Sequence, residues 1–390
     1  MDQIDDNVSN DIKSLGASFR VSIGPLHHGN EELQAMEEHK VRYLQQFLQR
    51  TQITLEDFLI FIKDKEEKLR NCYAETIPLG SQDFVEIILS DAVFLIEILL
   101  LSSFHKFRTS GVRIFGKPRL LREIMRDMWC QENQIPFFIL EDLFELAKTR
   151  MIDECYEGVS MSKLVSNFCD YVCELVLIDK SLIEINFCEA KHFLDLLRRF
   201  VLSHQIHQII SWILLEMNLF RNELHQAGVK FRVGSCNTLL DIRFDKGTLK
   251  IPKLRITTVS FFLLNVQIFE GLHCDTNFMN DYALLLSLLV TSPKDAELLI
   301  QIGIIETMES VAASNFYQQL GKNARIRSNK FYYTDLVSDL NAYCKSPWHK
   351  WKANLKQNYF NTPWASISVS AAVILLLLTL TQTVCSIIAL

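Results

Sequence analysis

The chain has 390 residues, 49% of them hydrophobic and 22% charged, which supplies material for a large core and excludes a globally disordered chain. Its 13 glycines and 8 prolines are too few for collagen-like or proline-rich architectures. The formal net charge of −6 provides no basic field for nucleic acid.

The N-terminus, MDQIDDNVSNDIKSLG, lacks the basic start and apolar stretch of a secretory signal, and residues 1–20 read as a flexible acidic segment. From Glu31 to Arg50, Leu33, Met36, Tyr43, Leu44, Phe47 and Leu48 recur at spacings near three and four, an amphipathic helix. Thr54 to Arg70 repeats the pattern. Asp83 to Phe104 is almost wholly apolar, but Asp83, Glu86, Asp91 and Glu97 interrupt it. Carboxylates at a bilayer centre are costly, so this segment reads as the central buried helix of a globular domain. Leu120 to Gln134 and Pro136 to Lys148 form a helix pair meeting at ENQIPFF, where Asn133 can cap and Pro136 removes a backbone donor. Met161 to Leu177, Ala190 to Arg199 and Gln205 to Leu224 continue the helical series.

Alternation then replaces the helical period. Val229, Phe231 and Val233, then Leu240, Ile242 and Phe244, then Leu249 and Ile251 alternate with polar residues, and Asp245-Lys246-Gly247 supplies a turn. A small antiparallel β-hairpin element over about 229–251 is expected inside one helical domain, 21–345. Helices resume at Val259–His273, Tyr282–Val290, Lys294–Gln301, Ile305–Gln319 and Phe331–Tyr343. Residues 346–363 hold His349, Lys350, Lys352, Lys356 and Tyr359, a basic and aromatic juxtamembrane pattern. Beyond it, 364–390 contains no charge, and Ile367 to Ile388 has the length of a ~30 Å hydrocarbon core. The expectation is therefore a mainly α fold with a C-terminal transmembrane helix. The preceding charges and the lack of a signal place the bulk domain in the cytosol.

The residues offer little conventional chemistry. The ten cysteines are scattered without a CxxC pair, and read as reduced thiols. Cys169 and Cys173, spaced four apart, read as ordinary buried thiols before they read as metal ligands with Cys155 or Cys188. His27, His28, Glu31, Glu32 and His39 are the densest imidazole and carboxylate group, yet adjacent residues seldom converge on one ion, so they read as a turn leading into a helix. His204 and His207 share a helix face without an HExxH acid. Nucleotide-binding glycine loops and a G-x-S-x-G elbow are absent. No cofactor, metal or catalytic residue is assigned. Asp91 and Glu97 are the carboxyls expected to titrate abnormally through burial. Arg108, Arg113, Lys117, Arg119, Arg122 and Arg126 form a basic stretch that reads as a solvated face before a lipid contact.

Several blocks together resemble a plant family, domain of unknown function 247 (uncharacterised protein family 0481). They are VSIGPLHHG with Gly24, Pro25, His27, His28 and Gly29, then MEEHKVRYL from Met36, then Asp91, Phe94 and Glu97 on one helix. Glu132, Asn133 and Pro136 of ENQIPFF, the segment from Ala227 to Ile251, and the terminal YFNTPWASIS run complete the set. Val41 stands where that family commonly has an aromatic residue. The resemblance implies a plant membrane-anchored protein without assigned catalysis. It also implies a role in self/non-self recognition, with a small secreted protein as partner.

The combined expectation is a non-enzymatic recognition, signalling or scaffold protein. It would be held at the plasma membrane by a single C-terminal pass, with the lipid bilayer and a protein as partners and no nucleic acid. The alternative is a hydrolase-like enzyme with a His/carboxylate site near His27, His28 and Asp91.

Overall fold

The computed structural model describes residues 19–108, 113–150, 158–170, 181–202, 224, 227–234, 238–307, 309–324, 331–346 and 363–388. Among them the fold is mainly helical. In chain order the first helices are α1 (Gln34–Thr51), α2 (Leu55–Lys63), α3 (Glu66–Arg70) and α4 (Ser81–Ser103). They are followed by α5 (Pro118–Asp127), α6 (Phe137–Lys148), α7 (Met161–Phe168), α8 (Ser181–Phe187) and α9 (Phe193–Leu202).

The long apolar segment is the central helix α4. It is hydrophobic on every side, which suits a helix surrounded by others, and α1, α2, α6 and α7 all pack on it. Phe84, Ile88, Val93, Phe94, Ile96, Leu99 and Leu100 have no exposed surface. Of its four acids, Asp83 and Glu86 reach solvent, whereas Asp91 and Glu97 are buried. Asp83 lies in the first turn, where the helix dipole favours an anion.

Two expected helices end early, for local reasons. Thr54 to Arg70 divides at Asp64-Lys65 into α2 and α3, and Thr54 caps α2 by accepting the Asp57 N–H at 3.1 Å. The helix begun at Pro118 stops at Asp127 instead of reaching Gln134. Turn hydrogen bonds from Trp129 N to Arg126 O and from Cys130 N to Asp127 O replace it. Pro136, not Asn133, is the cap residue of α6.

The expected hairpin is present within a larger sheet. Strands β2 (Arg243–Asp245) and β3 (Thr248–Ile251) pair antiparallel, with Lys246 and Gly247 both at positive φ, the geometry of a tight hairpin turn. β1 (Lys230–Val233) pairs parallel with β3, so the antiparallel element becomes a mixed three-stranded sheet. β4 (Leu254–Arg255) and β5 (Ile305–Glu306) form a second, parallel pair. Helices α10 (Ile256–His273), α11 (Phe278–Leu289), α12 (Pro293–Ile302), α13 (Ser310–Asn323) and α14 (Thr334–Lys345) build the other half. α13 packs on α11 and α12, and α9 on α10 joins the two halves into one hydrophobic core.

The last helix, α15 (Pro363–Ile388), forms where the apolar run predicts, and its described side chains are exposed. Thr379, Thr381 and Thr383 return their hydroxyls to carbonyls one turn back. Among the described residues no helix is long and apolar enough to cross a membrane. The expected transmembrane helix, and with it the single-pass anchoring and plasma-membrane placement, is therefore not supported. Residues 347–362, which hold the expected juxtamembrane charges, lie outside the described residues, as do His204, His207, Cys155, Cys173 and all of the expected Gln205–Leu224 helix but Leu224.

Candidate functional site

Four of the sequence blocks meet at one place, a short strap from Arg20 to Gly24 laid across α4, α5 and the turn before α6. Val21 and Ile23 turn their side chains into the core, at 0% and 1% exposure. The strap's backbone is then left without strand partners, and buried N–H and C=O groups need them. Side chains supply them. Asp127 Oδ2 accepts from Val21 N at 3.2 Å. Asn133 Oδ1 accepts from Ile23 N at 2.6 Å, and Asn133 Nδ2 donates to Val21 O and Asp127 O at 3.1 and 3.0 Å. Asp91 Oδ2 accepts from Gly24 N at 2.8 Å.

Behind Gly24 is a buried ion pair. Lys40 of α1 and Asp91 of α4 have side chains 1% and 2% exposed, with Nζ 2.5 Å from Oδ1, and Lys40 also reaches Glu37 Oε1 at 2.6 Å. Burial pushes the Asp91 carboxyl up to about 6, against the pull of Lys40 and the Gly24 N–H. Burial works to lower the Lys40 ammonium, but Asp91 and Glu37 outweigh it and raise it. Asp127 is likewise pushed up to about 6 by burial, opposed by the Arg20 and Val21 amides and by Arg126. Glu97, one helical face further along α4, has no exposed surface and pairs with Arg50 Nη2 at 2.7 Å. Burial raises its carboxyl despite that partner.

The strap has room for only one geometry at Gly24. Its φ is +81°, and a Cβ there would stand 2.8 Å from Gln134 O, which only glycine avoids. Pro25 is buried, and the chain then emerges through Leu26, His27, His28 and Gly29. His27 Nε2 lies 3.1 Å from Glu132 Oε2, and its ring packs on Phe19 with centroids 4.8 Å apart. His28 is exposed, and Gly29 takes φ +83° in open space. Glu31 and Glu32 enter the first helical turn, where Asn30 accepts the Glu32 N–H at 3.0 Å.

The predicted residues are thus brought together as parts of a bracket, not as a reaction centre. Gly24 ends the strap, which Asp91 and Asn133 touch; Pro136 starts the helix behind it; Glu132 and Glu97 hold His27 and Arg50. Asp91 is unavailable to His27 or His28 as an orienting carboxylate, because its two oxygens face Lys40 and the Gly24 amide. An apolar cavity between Leu224, Phe231, Leu288 and Leu299, and a shallow groove beside Asp64, Glu67 and Cys72, contain none of these groups. Among the described residues no group of three or more His, Cys, Asp or Glu side chains is placed to hold a metal ion.

Sequence reasoning missed Asp127, and met Lys40 and Gln134 only as members of the family blocks, without a structural role. Lys40 carried a signal: it falls on the buried stripe Met36, Lys40, Tyr43, Phe47, where a lysine needs a buried anion. Gln134 bridges three backbone groups, donating to Met128 O and Cys130 O and accepting from Leu194 N. A second buried polar group was also missed. Glu270 of α10 accepts from Met279 N at 2.6 Å and Thr276 Oγ1 at 3.1 Å, and Asp281 of α11 accepts from Tyr332 N at 2.7 Å. Burial pushes the Asp281 carboxyl up to about 7, against its hydrogen bonds to Tyr332 and Asn277.

A helical domain whose N-terminal strap is pinned by the buried Asp91, Asp127 and Asn133 defines the class of protein. The chain belongs to the DUF247 family, described as plant protein of unknown function, whose pattern matches residues 19–378. It is similar to a UPF0481 protein of Arabidopsis thaliana, 28% identical over 403 residues, covering 93% of this chain and 80% of that protein. A putative UPF0481 protein of the same plant is 22% identical over 459 residues, covering 92% and 84%. No solved structure matches.

Proposed function

We propose that the chain acts by binding, as a non-enzymatic recognition or scaffold protein. One observation carries this reading: the buried carboxyls and the buried amide of the family blocks are engaged in holding the fold. Asp91 is neutralised by Lys40 inside the core, Glu97 by Arg50, and Asn133 is saturated by the strap. General acid–base or nucleophilic work needs such groups beside a space for substrate. The narrower role, self/non-self recognition of a small secreted protein, has the family resemblance alone behind it.

The test is turnover. The purified chain is incubated with chromogenic esters, amides, phosphate monoesters and glycosides, beside His27→Ala and His28→Ala variants. The expected result is the same background rate for all three proteins. Turnover that disappears in His27→Ala or His28→Ala, with the helical circular dichroism unchanged, would overturn the binding reading in favour of a histidine-based enzyme.

A further inference from the structure

Strand β1 is an edge of the mixed sheet, whose strand order is β1-β3-β2. Its hydrogen bonds run one way: Lys230 N donates to Gly247 O at 2.9 Å and Gly234 N to Ile251 O at 2.8 Å, both on the β3 side. Backbone groups alternate along a strand, so Phe231 and Val233 turn their N–H and C=O groups to the outer edge. No strand meets them there among the described residues. The register fixes the side chains too. Arg232 stands opposite Lys250, and Lys250 opposite Arg243, a row of three cations at the ~4.8 Å spacing of strands. Asp241 holds Arg243, whereas Lys230, Arg232 and Lys250 are exposed and without an ion-pair partner among the described residues. The other face is apolar. Leu249 and Ile251 are buried, Phe231 lines a cavity with Leu298 and Leu299 of α12, and Val233 is 43% exposed.

We infer that the β1 edge is a docking site for an extended segment of a protein partner, one that alternates acidic with apolar residues and joins the sheet as a fourth strand. The inference rests on the binding reading above and names the chemistry of the partner. Each part of that pattern answers a feature of the edge. The outward N–H and C=O groups of Phe231 and Val233 supply the main-chain bonds by which an added strand is held. Residues opposite one another on neighbouring strands interact directly, and like charges there repel. An acid set beside Arg232 therefore extends the cation row favourably, and a lysine there would not. On the other face, an apolar residue of the added strand covers Val233. A second copy of this chain is the poorer occupant. Pairing two β1 edges would bring the Lys230 and Arg232 cations of both copies together, the device by which edge strands avoid self-association.

The experiment is fluorescence anisotropy of a fluorescein-labelled peptide of four Glu-Val repeats with the full chain, beside a peptide of four Lys-Val repeats and phosphatidylserine vesicles. The Glu-Val peptide is expected to bind, and to bind more weakly as salt is raised. It should also slow amide exchange at Phe231 and Val233 but not at Lys230, whose N–H is already bonded to Gly247 O. Arg232→Glu/Lys250→Glu should weaken binding on the order of tenfold. Val233→Pro should weaken it roughly fivefold, because it deletes an outer donor and spares the bonds to β3. Lys163→Glu, on an exposed residue of α7, should leave it within about twofold. The exchange measurement uses the unaltered chain, so it stays readable if a variant fails to fold. Absence of binding, equal binding of the Lys-Val peptide, or binding that leaves exchange at Phe231 and Val233 unchanged would overturn the proposal. Retention by vesicles without peptide binding would replace it with a lipid-facing surface. Failure here leaves the turnover test untouched, and turnover would remove the binding reading without altering exchange at the β1 edge.

Discussion

Replacing Lys40 by methionine removes the counter-charge of Asp91 while keeping a long apolar side chain in place. Both partners are within 2% of complete burial, with 2.5 Å between Nζ and Oδ1. Water therefore cannot solvate the abandoned carboxylate, and losing one member of such a pair costs about 3–5 kcal/mol. The Gly24 N–H remains as a single neutralising dipole. The cost should depend on pH, with a definite sign. The folded-state carboxyl already sits at about 6, raised by burial above its usual 3.8, and without Lys40 it rises further. A raised carboxyl makes the native state lose stability as pH climbs from the ordinary carboxylate range through the folded value. The deficit of Lys40→Met should accordingly be smaller at pH 5, where Asp91 is protonated, than at pH 8. Urea unfolding followed by tryptophan fluorescence reads it, since Trp129 is fully buried. A deficit below about 1 kcal/mol, or one equal at the two pH values, would refute the claim that this pair is a buried keystone.

Gly24→Ala should cost about 2–4 kcal/mol, because it combines a positive φ with a Cβ 2.8 Å from Gln134 O. Gly29→Ala shares the positive φ but meets nothing within 4 Å, so it should cost only about 1 kcal/mol; equal urea midpoints for the two would contradict the steric argument. Asn133→Ala removes three hydrogen bonds to the strap and α5 and should cost about 2–4 kcal/mol. Hydrogen exchange should show the Ile23 amide losing protection while amides inside α4 keep theirs. Asp281, at about 7 from 3.8 and 5% exposed, gives a pH test. Its ionisation destabilises the native state as pH rises, so wild type should lose roughly 3 kcal/mol more than Asp281→Asn between pH 5 and pH 8. Parallel losses in urea titrations would refute that burial.

What was legible in the sequence is what local pattern determines. The apolar run of α4, broken by acids, reads as a buried helix because four carboxylates are too many for a bilayer and tolerable in a core that supplies cations. The hairpin at Lys246-Gly247 is legible for a similar reason, its turn residues being adjacent. The partners of Asp91 and Glu97 were not legible, since Lys40 and Arg50 lie on another helix and only packing brings them close. The parallel pairing of β1 with β3 has no turn to announce it. The helical period also overran α5. Trp129, Cys130 and Ile135 are as buried as helix-core residues, but Gln134 holds them in a turn through Met128 O and Cys130 O. The terminal run illustrates the opposite failure. Composition gave the helix from Pro363 to Ile388, whereas no helix among the described residues is long and apolar enough to cross a membrane.

The polar bracket answers a problem that an apolar core leaves open, namely the register of the strap. Val21 and Ile23 are β-branched aliphatics of similar shape, and a purely greasy groove would accept them shifted by two residues at little cost, as flat strands slip when only apolar burial guides them. Fixed partners remove that freedom: Val21 N meets Asp127, Ile23 N meets Asn133, and Gly24 N meets Asp91. A two-residue slip breaks all three and drives a Cβ into Gln134 O. The double variant Lys40→Met/Asp91→Leu separates register from stability. Removing both charges together avoids the uncompensated carboxylate, leaving chiefly the Gly24 N–H without its acceptor, about 1–3 kcal/mol. It should therefore be more stable than Lys40→Met alone, yet exchange the Gly24 amide far faster than wild type. If that amide stays protected in the double variant, apolar packing alone sets the register, and the buried pair serves some other end.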